Sequence, residues 1–218
     1  MENTSLIIDF DSTFITVETL DELAQISIGD DQDSIQSIEQ ITSKAMTGEV
    51  DFCDALLKRI KILSSTKNHI EQLVKKVALD KISPSFIMNR DFIDKHKKNI
   101  YIVSGGFREV ITPIVTLFGI LEENIFANSF IYENENIVGY CNDEIMSSKA
   151  GKVDAVRELL LSGRIIAIGD GYTDYQIKEA GEATDFIAYT ESITRENVVA
   201  KADSVASSFD EVINYIYL

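Results

Sequence analysis

The chain has 218 residues, 45% of them hydrophobic, and carries a formal net charge of −16 at pH 7. That length fits one domain, or one core domain with a smaller insert, and supports a core that needs neither disulfides nor a structural metal. The acidic balance excludes nucleic acid and anionic membranes as partners, because no basic cluster in the sequence offsets the repulsion.

A short apolar run rich in isoleucine, residues 5–8, predicts a buried first strand that ends in the polar residues 9–13. Ligands of open α/β sheets bind beyond the carboxyl ends of the strands, so reactive side chains are expected here. Asp9 and Asp11 project to the same side if the strand geometry persists, and a divalent cation would relieve the repulsion between their carboxylates. An ordinary polar turn is the alternative, because Asp and Ser are common turn residues.

Residues 14–78 predict a helical insert, because they contain apolar residues at helical spacing and no clear strand pattern. Four helices are expected, over residues 17–26, 32–46, 52–63 and 70–77. The next helix is expected to begin at Ser83-Pro84, where a serine N-cap precedes a proline in the first turn.

From residue 100 onward, predicted strands alternate with predicted helices, which indicates βαβ units around a parallel sheet. The strands are expected over residues 100–103, 126–127, 164–168 and 185–189. Four helices are expected between and after these strands. The first ends at about residue 118, and Thr112-Pro113 either kinks it or opens it late. The second covers residues 151–161, the third ends at about residue 180, and the fourth covers residues 209–217. Residues 130–141 predict a hairpin with a four-residue loop at 133–136.

Three predicted strands end in polar or glycine-rich turns, Asp9-Phe10-Asp11, Ser104-Gly105-Gly106 and Gly169-Asp170-Gly171. The carboxyl ends of parallel strands lie at one edge of a sheet, so we expect these turns to converge. The two glycines of the second turn let the backbone approach a ligand closely, and N–H groups at a helix start bind anions. A simple helix N-cap is the alternative for Ser104.

The convergence of these turns suits a bound magnesium ion. Asp170 would complete an oxygen site for the ion together with Asp9 and a carbonyl near Asp11. Asp174, one helical turn further on, could orient the metal ligands without binding the ion itself.

An anionic substrate needs local positive charge in so acidic a chain, and a lysine is a candidate source. Lys152 opens a predicted helix, where a cation is poorly placed for the helix dipole, so a bound anion would explain it. A solvated surface lysine is the alternative, and Lys149 is close enough to be a rival ligand for the anion.

The cysteines and histidines indicate neither a metal site nor a nucleophile. Cys53 and Cys141 belong to no CxxC or Cys/His pattern, so we interpret them as small core residues in a reducing compartment. His69 and His96 fall in charged helical stretches and no GxSxG motif occurs, which argues against a serine or cysteine hydrolase. The chain opens without a charged and apolar leader, and no apolar run approaches transmembrane length, so we expect a cytoplasmic protein.

The strand-end turns and the lysine resemble the four motifs of haloacid dehalogenase-type phosphatases. The matching residues are Asp9-Phe10-Asp11-Ser12-Thr13, Ser104-Gly105, Lys152, and Gly169-Asp170-Gly171 with Asp174. Within this superfamily the chain is most similar to the phosphoserine phosphatases, through residues 17–24, 45–48 and 52–59. The resemblance covers nearly the whole chain. It implies a Rossmann-like parallel sheet core of residues 1–13 and 79–218, with a helical cap of residues 14–78 inserted after the first strand.

The resemblance implies a magnesium-dependent phosphomonoester hydrolase that acts on O-phosphoserine through an aspartyl phosphate. Asp9 would be the nucleophile, and Asp11 the general acid and then the base. The metal ligands would be Asp9, Asp170 and the carbonyl of Asp11. The implied substrate-binding residues are Ser104, Gly105 and Lys152 for the phosphoryl oxygens, Glu18 and Arg59 for the amino and carboxylate groups, and Phe52 and Thr173.

Two residues depart from the family pattern, and they bear on substrate specificity more than on the reaction type. Tyr172 stands where a small residue is usual, and Thr173 where Asn is common. The alternatives are a related phosphatase or phosphotransferase acting on another small phosphomonoester, and a catalytically silent binding module of the same fold. The intact pair Asp9 and Asp11 argues against the silent module. A small anionic phosphomonoester is the expected partner, and the chain is expected to be a monomer or a homodimer.

Overall fold

The computed structural model describes residues 3–141 and 145–217, and its central element is a six-stranded parallel sheet. The strands are β1 (Thr4–Ile8), β2 (Ile100–Phe107), β3 (Ile125–Asn128), β4 (Phe130–Glu133), β5 (Asn136–Tyr140), β6 (Arg164–Gly169), β7 (Asp185–Tyr189) and β8 (Ser204–Ala206). The strand order in the sheet is β3-β2-β1-β6-β7-β8, and β4 pairs with β5 in a separate antiparallel hairpin. The predicted α/β class with a parallel sheet is confirmed.

Helices connect the strands of the sheet and pack against it. They are α1 (Thr19–Ser27), α2 (Gln32–Met46), α3 (Phe52–Leu63), α4 (Lys67–Asp80), α5 (Pro84–Met88), α6 (Arg90–His96), α7 (Arg108–Val115), α8 (Gly151–Glu158), α9 (Tyr172–Glu179), α10 (Glu196–Val199) and α11 (Phe209–Ile216). Among the described residues, no helix combines the length and the apolar character that crossing a membrane requires.

Successive residues of β1 pack on opposite faces of the sheet, which explains why its last three residues, 6–8, are all apolar. Leu6 and Ile8 join a hydrophobic cluster that includes residues of α1–α4 and α7. Ile7 joins a second cluster that includes residues of α8 and α9. All three side chains are at most 1% exposed, so both faces of the sheet are covered at its centre.

The four helices α1–α4 follow β1 directly, and the chain enters and leaves this segment side by side. The Thr16 N–H donates to the Lys81 carbonyl at 2.8 Å, and the Ser83 N–H donates to the Phe14 carbonyl at 3.0 Å. These backbone hydrogen bonds fix the base of the helical segment next to the end of β1. The division of the chain into core and cap at residues 14 and 78 stays a prediction.

Two predicted boundaries are wrong. The hairpin loop contains two residues rather than four, because Glu133 pairs with Asn136 and Asn134 takes a left-handed conformation with φ 55°. Asn tolerates that conformation better than most residues do. The helix expected over residues 151–161 ends at Glu158, three residues earlier than its apolar pattern indicated.

Other elements were only partly visible in the sequence. Pro113 lies inside α7, which ends at Val115 and continues as a short 3₁₀ turn over Thr116–Phe118. Strand β2 extends through the predicted turn to Phe107. Strand β8 and helix α10 were not predicted, because three and four residues are too few to establish a period.

Candidate active site

The end of β1 is shaped by a tight turn over Phe10–Phe14. The Asp9 N–H still donates to the Ile168 carbonyl at 2.9 Å, so the sheet continues to this residue. Asp11 keeps an extended backbone, with φ −66° and ψ 138°, whereas Ser12 has φ 54° and reverses the chain. Strand β1 ends at Ile8 and the turn begins at Phe10, so the continued strand geometry on which the same-side prediction for Asp9 and Asp11 depended is not present, and the turn itself places Asp11.

Asp11 is held in place by the first residue of α1. The Thr19 N–H donates to Asp11 Oδ1 at 2.9 Å, and Thr19 Oγ1 donates to Oδ2 at 3.2 Å. Burial, together with the neighbouring charge of Asp9, raises the pKa of Asp11 to about 7. A carboxyl group in this environment can hold or release a proton near neutral pH.

A cavity opens beside these two carboxylates. It brings together predicted site residues from the core and from the helical segment, and these are Asp9, Asp11, Glu18, Phe52, Arg59, Ser104, Gly105, Lys152 and Thr173. Strands β2, β1 and β6 are neighbours in the sheet, so their three polar turns meet at one edge. The roles assigned to these residues stay predictions.

Lys152 is buried at the bottom of the site. Its Nζ lies 2.8 Å from Asp9 Oδ1 and 2.7 Å from Asp174 Oδ1, with only 7% of the side chain exposed. Burial disfavours the ammonium, but the charges of Asp174 and Asp9 outweigh that cost and raise the pKa of Lys152. The solvated-lysine alternative is therefore wrong. The rival Lys149 has a side chain that is 81% exposed and pairs with Asp51 at 3.4 Å.

Three buried acids could hold a metal ion. Carboxylate oxygens of Asp9, Asp170 and Asp174 lie within 4.8 Å of one another. Burial, followed by the charge of Glu18, raises the pKa of Asp170 to about 7. An all-oxygen set of buried carboxylates is the chemistry that Mg²⁺ prefers, so the residues fit this ion.

Asp174 lies nearer to the candidate metal site than the sequence suggested. Its Oδ2 accepts from the Gly171 N–H at 3.0 Å, and its Oδ1 accepts from Lys152. A methyl group built on Gly169 would overlap the Asp174 carboxylate, so only glycine fits at this strand end. The close packing of the backbone at Gly169 thus sets the position of Asp174.

Gly169→Ala is expected to displace the Asp174 carboxylate, and to lower both the activity that the motif resemblance implies and the magnesium affinity roughly 10- to 100-fold, the range seen when groups that orient metal ligands are changed. Magnesium titrations of activity and calorimetric binding would measure both losses. Gly139→Ala is the matched control, because a methyl group there meets no atom of residues 3–141 or 145–217 within 4 Å. Equal behaviour of the two variants would contradict the positioning of Asp174 by Gly169.

The turn in β2 provides a backbone surface rather than a helix cap. The Gly106 N–H donates to Ser104 Oγ at 3.0 Å, and α7 begins only at Arg108, so the N-cap alternative for Ser104 is wrong. A methyl group built on Gly105 would overlap the ring of Phe52, which comes from α3. The helical segment therefore lies directly on this glycine.

Glu18 and Arg59 face the same cavity from the helical side. Ser12 Oγ donates to Glu18 Oε1 at 2.8 Å, and burial together with the charge of Asp11 raises the pKa of Glu18 to about 8. Arg59 is 2% exposed, and its Nη1 donates to Thr42 Oγ1 at 3.1 Å. Its Nε is also buried and donates to no atom of the described residues. A buried guanidinium with a free donor is costly unless a ligand accepts from it.

Sequence reasoning missed Arg195, which lies in the segment between β7 and α10. Its Nε donates to Asp170 Oδ2 at 2.8 Å, and its Nη2 lies 3.4 Å from Glu18 Oε1, with 8% of the side chain exposed. It thus links a candidate metal ligand to a candidate substrate-binding residue. The available signal was its place after a predicted parallel strand, at the edge where the other turns were expected.

Known proteins resemble the chain over nearly its whole length. The family model described as haloacid dehalogenase-like hydrolase matches residues 6–178. The chloroplastic phosphoserine phosphatase of Arabidopsis thaliana is 33% identical over 214 residues, which cover 94% of this chain and 69% of that protein. Human phosphoserine phosphatase is 26% identical over 209 residues, covering 94% of this chain and 89% of the human protein.

A solved structure shows the same likeness. The crystal structure of a phosphoserine phosphohydrolase-like protein from Francisella tularensis has a TM-score of 0.88 and 35% sequence identity. The match covers 98% of this chain and 99% of that one. The resemblance inferred from the motifs is confirmed by these four matches.

Proposed function

The chain belongs to the haloacid dehalogenase-like hydrolase family, and from this membership we propose that it hydrolyses O-phosphoserine to serine and phosphate. Family membership and the named relatives support a phosphomonoesterase. The observation that carries the substrate proposal is the buried Arg59, whose Nε has no acceptor among the described residues and which shares the cavity with Asp9 and Lys152.

We propose that Asp9 attacks the phosphorus atom and forms an aspartyl phosphate as the bond to the serine oxygen breaks. Asp11, with its raised pKa, would donate its proton to that oxygen and would then take a proton from the attacking water. The water oxygen bonds to phosphorus as the bond to the Asp9 carboxylate breaks, which releases phosphate and restores both aspartates. Thr19 supports this role because its two hydrogen bonds keep the Asp11 carboxylate beside Asp9.

The phosphoryl oxygens need positive charge and hydrogen-bond donors, which the chain can supply. Lys152 contacts Asp9 directly, so its ammonium lies next to the proposed point of attack. Ser104 and the backbone at Gly105 line the same cavity. Asp9, Asp170 and the Asp11 carbonyl would hold Mg²⁺, with Asp174 close by, and the bound ion would offset charge on the phosphoryl group.

Asp170→Ala is expected to raise the magnesium concentration needed for half-maximal activity at least about 10-fold, because it removes one charged oxygen ligand. Magnesium binding to the substrate-free protein, followed by calorimetry, should weaken in parallel. Asp91→Ala, at an exposed acid of α6, is the control for the loss of one negative charge. An unchanged magnesium titration for Asp170→Ala would remove this residue from the metal site.

The substrate's amino and carboxylate groups would lie against the helical segment. We propose that residues 14–78 form a cap over the core, with Arg59 donating to the carboxylate and Glu18 accepting from the ammonium group. Phe52 supports this placement because its ring lies on Gly105 and 5.9 Å from the Arg59 guanidinium. Thr173 lines the cavity from the core side.

A panel of phosphomonoesters tests the substrate proposal. O-phosphoserine should have the highest kcat/KM, roughly 10-fold or more above phosphoethanolamine, which lacks the carboxylate, and above glycerol phosphate, which lacks both charged groups. Removal of divalent cations with EDTA should abolish turnover, and added Mg²⁺ should restore it. Similar kcat/KM values across the panel would contradict the assignment of O-phosphoserine and leave a general phosphomonoesterase.

A further inference from the structure

The loop between α2 and α3 rests on the core beside the candidate metal site. Gly48 in this loop has φ +79°, and a methyl group built on it would lie 3.0 Å from Tyr172 Cδ1 and 3.2 Å from Cγ. The backbone of the loop therefore packs directly against the ring of Tyr172. The left-handed conformation favours glycine at this position, and a side chain here would press on the Tyr172 ring.

Two further contacts join this loop and the last residue of α2 to the core. Asn197 Nδ2, from α10, donates to the Thr47 carbonyl at 3.1 Å. Met46 Sδ lies 3.6 Å from where a methyl group on Gly171 would be. Residues 46–48 therefore contact the core at three points around the turn that carries Asp170.

The core holds the Tyr172 ring in position. Its centroid lies 5.8 Å from that of Tyr175, and Lys201 Nζ lies 5.8 Å from the Tyr172 centroid and 4.7 Å from the Tyr175 centroid. A ring fixed in this way presents a preformed surface to the loop.

Contacts on the other rim of the cavity are weaker. Asp51, at the start of α3, pairs with Lys149, whose side chain is 81% exposed, so solvent screens this pair. Cys53 Sγ donates to the carbonyls of Ser147 and Ser148 at 3.3 and 3.4 Å.

We propose that Tyr172 is a positioning residue that holds the helical segment closed over the site through its contact with Gly48. Because α3 begins four residues after Gly48, this contact fixes where Phe52 and Arg59 stand relative to Asp9. The proposal rests on the proposed function, since a correctly placed Arg59 is what the substrate carboxylate requires.

Kinetics of two variants test the positioning role. Tyr172→Ala should raise KM for O-phosphoserine roughly 3- to 10-fold, the size expected for the loss of one aromatic contact, with a smaller change in kcat. Tyr172→Phe keeps the ring and should behave like the unaltered protein. A generic aryl phosphate, which does not use Arg59, should show little change with either variant.

Labelling of Cys53 reports closure without any substrate. Contact with the Ser147 and Ser148 carbonyls half-buries this thiol, and burial raises its pKa, so opening should speed its reaction with a maleimide. In a Cys141→Ser background, Tyr172→Ala should increase the labelling rate several-fold, and Tyr172→Phe should leave it unchanged. Circular dichroism would verify that each variant is folded.

If Tyr172→Ala does not fold, a second variant can test the same closure contact. Asn197→Ala removes only the hydrogen bond to the Thr47 carbonyl and should also increase Cys53 labelling, with Glu196→Ala in the same helix as the control. An unchanged labelling rate together with an unchanged KM would overturn the proposal. A protein that does not turn over O-phosphoserine but shows the expected labelling would instead refute the proposed substrate and leave the closure contact standing.

Discussion

Asp9→Asn should lower turnover of O-phosphoserine by at least about 1,000-fold, because a carboxamide cannot replace a carboxylate as the nucleophile. The fold should survive, since the asparagine oxygen can still accept from the Phe10 N–H, which donates to Asp9 Oδ1 at 2.7 Å. Lys152 keeps its second partner, Asp174, so no buried ammonium is left unpaired. The thermal unfolding midpoint should therefore stay close to that of the unaltered protein.

Trapping of the covalent intermediate tests the same residue independently. Acid quenching during turnover of radiolabelled O-phosphoserine should leave phosphate bound to the protein, and Asp9→Asn should carry none. Asp91→Asn, at an exposed acid, controls for the amide substitution. Near-normal activity of Asp9→Asn at matched purity would show that the reaction does not pass through an aspartyl phosphate.

The sequence could predict that the three polar turns meet at one site, because the carboxyl ends of parallel strands lie at the same edge of a sheet. Asp9 and Asp170 follow strands that are neighbours in the sheet, and Ser104 lies in the third. No strand order was needed for the prediction, since all parallel strands present their carboxyl ends at one edge. Lys152 is buried against the carboxylates of Asp9 and Asp174, so the chain itself supplies negative charge beside it, and the bound anion that the dipole argument favoured stays a prediction.

Other features of the site had no local signature. Arg195 reaches Asp170 and Glu18 across long sequence separations, and a single arginine in a loop looks like a solvated charge until the fold is known. Thr19 looks like an ordinary first residue of a helix, although its N–H and hydroxyl both bind Asp11. Pairwise contacts of this kind follow from tertiary packing, not from the spacing of residue types.

Arg59→Ala should reduce kcat/KM for O-phosphoserine roughly 10- to 150-fold, because a charge-assisted hydrogen bond to the carboxylate contributes about 1.5–3 kcal/mol. A small aryl phosphate has no carboxylate, so its kcat/KM should fall only a few-fold. Truncating a buried arginine also removes its hydrogen bond to Thr42 and its contact with Phe52, which makes some loss of stability expected. The ratio of the two kcat/KM values separates recognition from that general loss, since misfolding lowers both equally.

The matched control for this ratio is Lys58→Ala, at the exposed neighbour of Arg59 in α3. It removes one positive charge from the same helix and should leave the ratio unchanged, because the Lys58 side chain lies outside the cavity.

Phosphoethanolamine makes the comparison more specific, since it keeps the amino group of O-phosphoserine and lacks only the carboxylate. Arg59→Ala should therefore make the kcat/KM values for these two substrates nearly equal. If the variant loses the same factor on O-phosphoserine, phosphoethanolamine and the aryl phosphate, Arg59 serves the phosphoryl group or the fold. The free donor on its Nε would then have no bearing on the substrate.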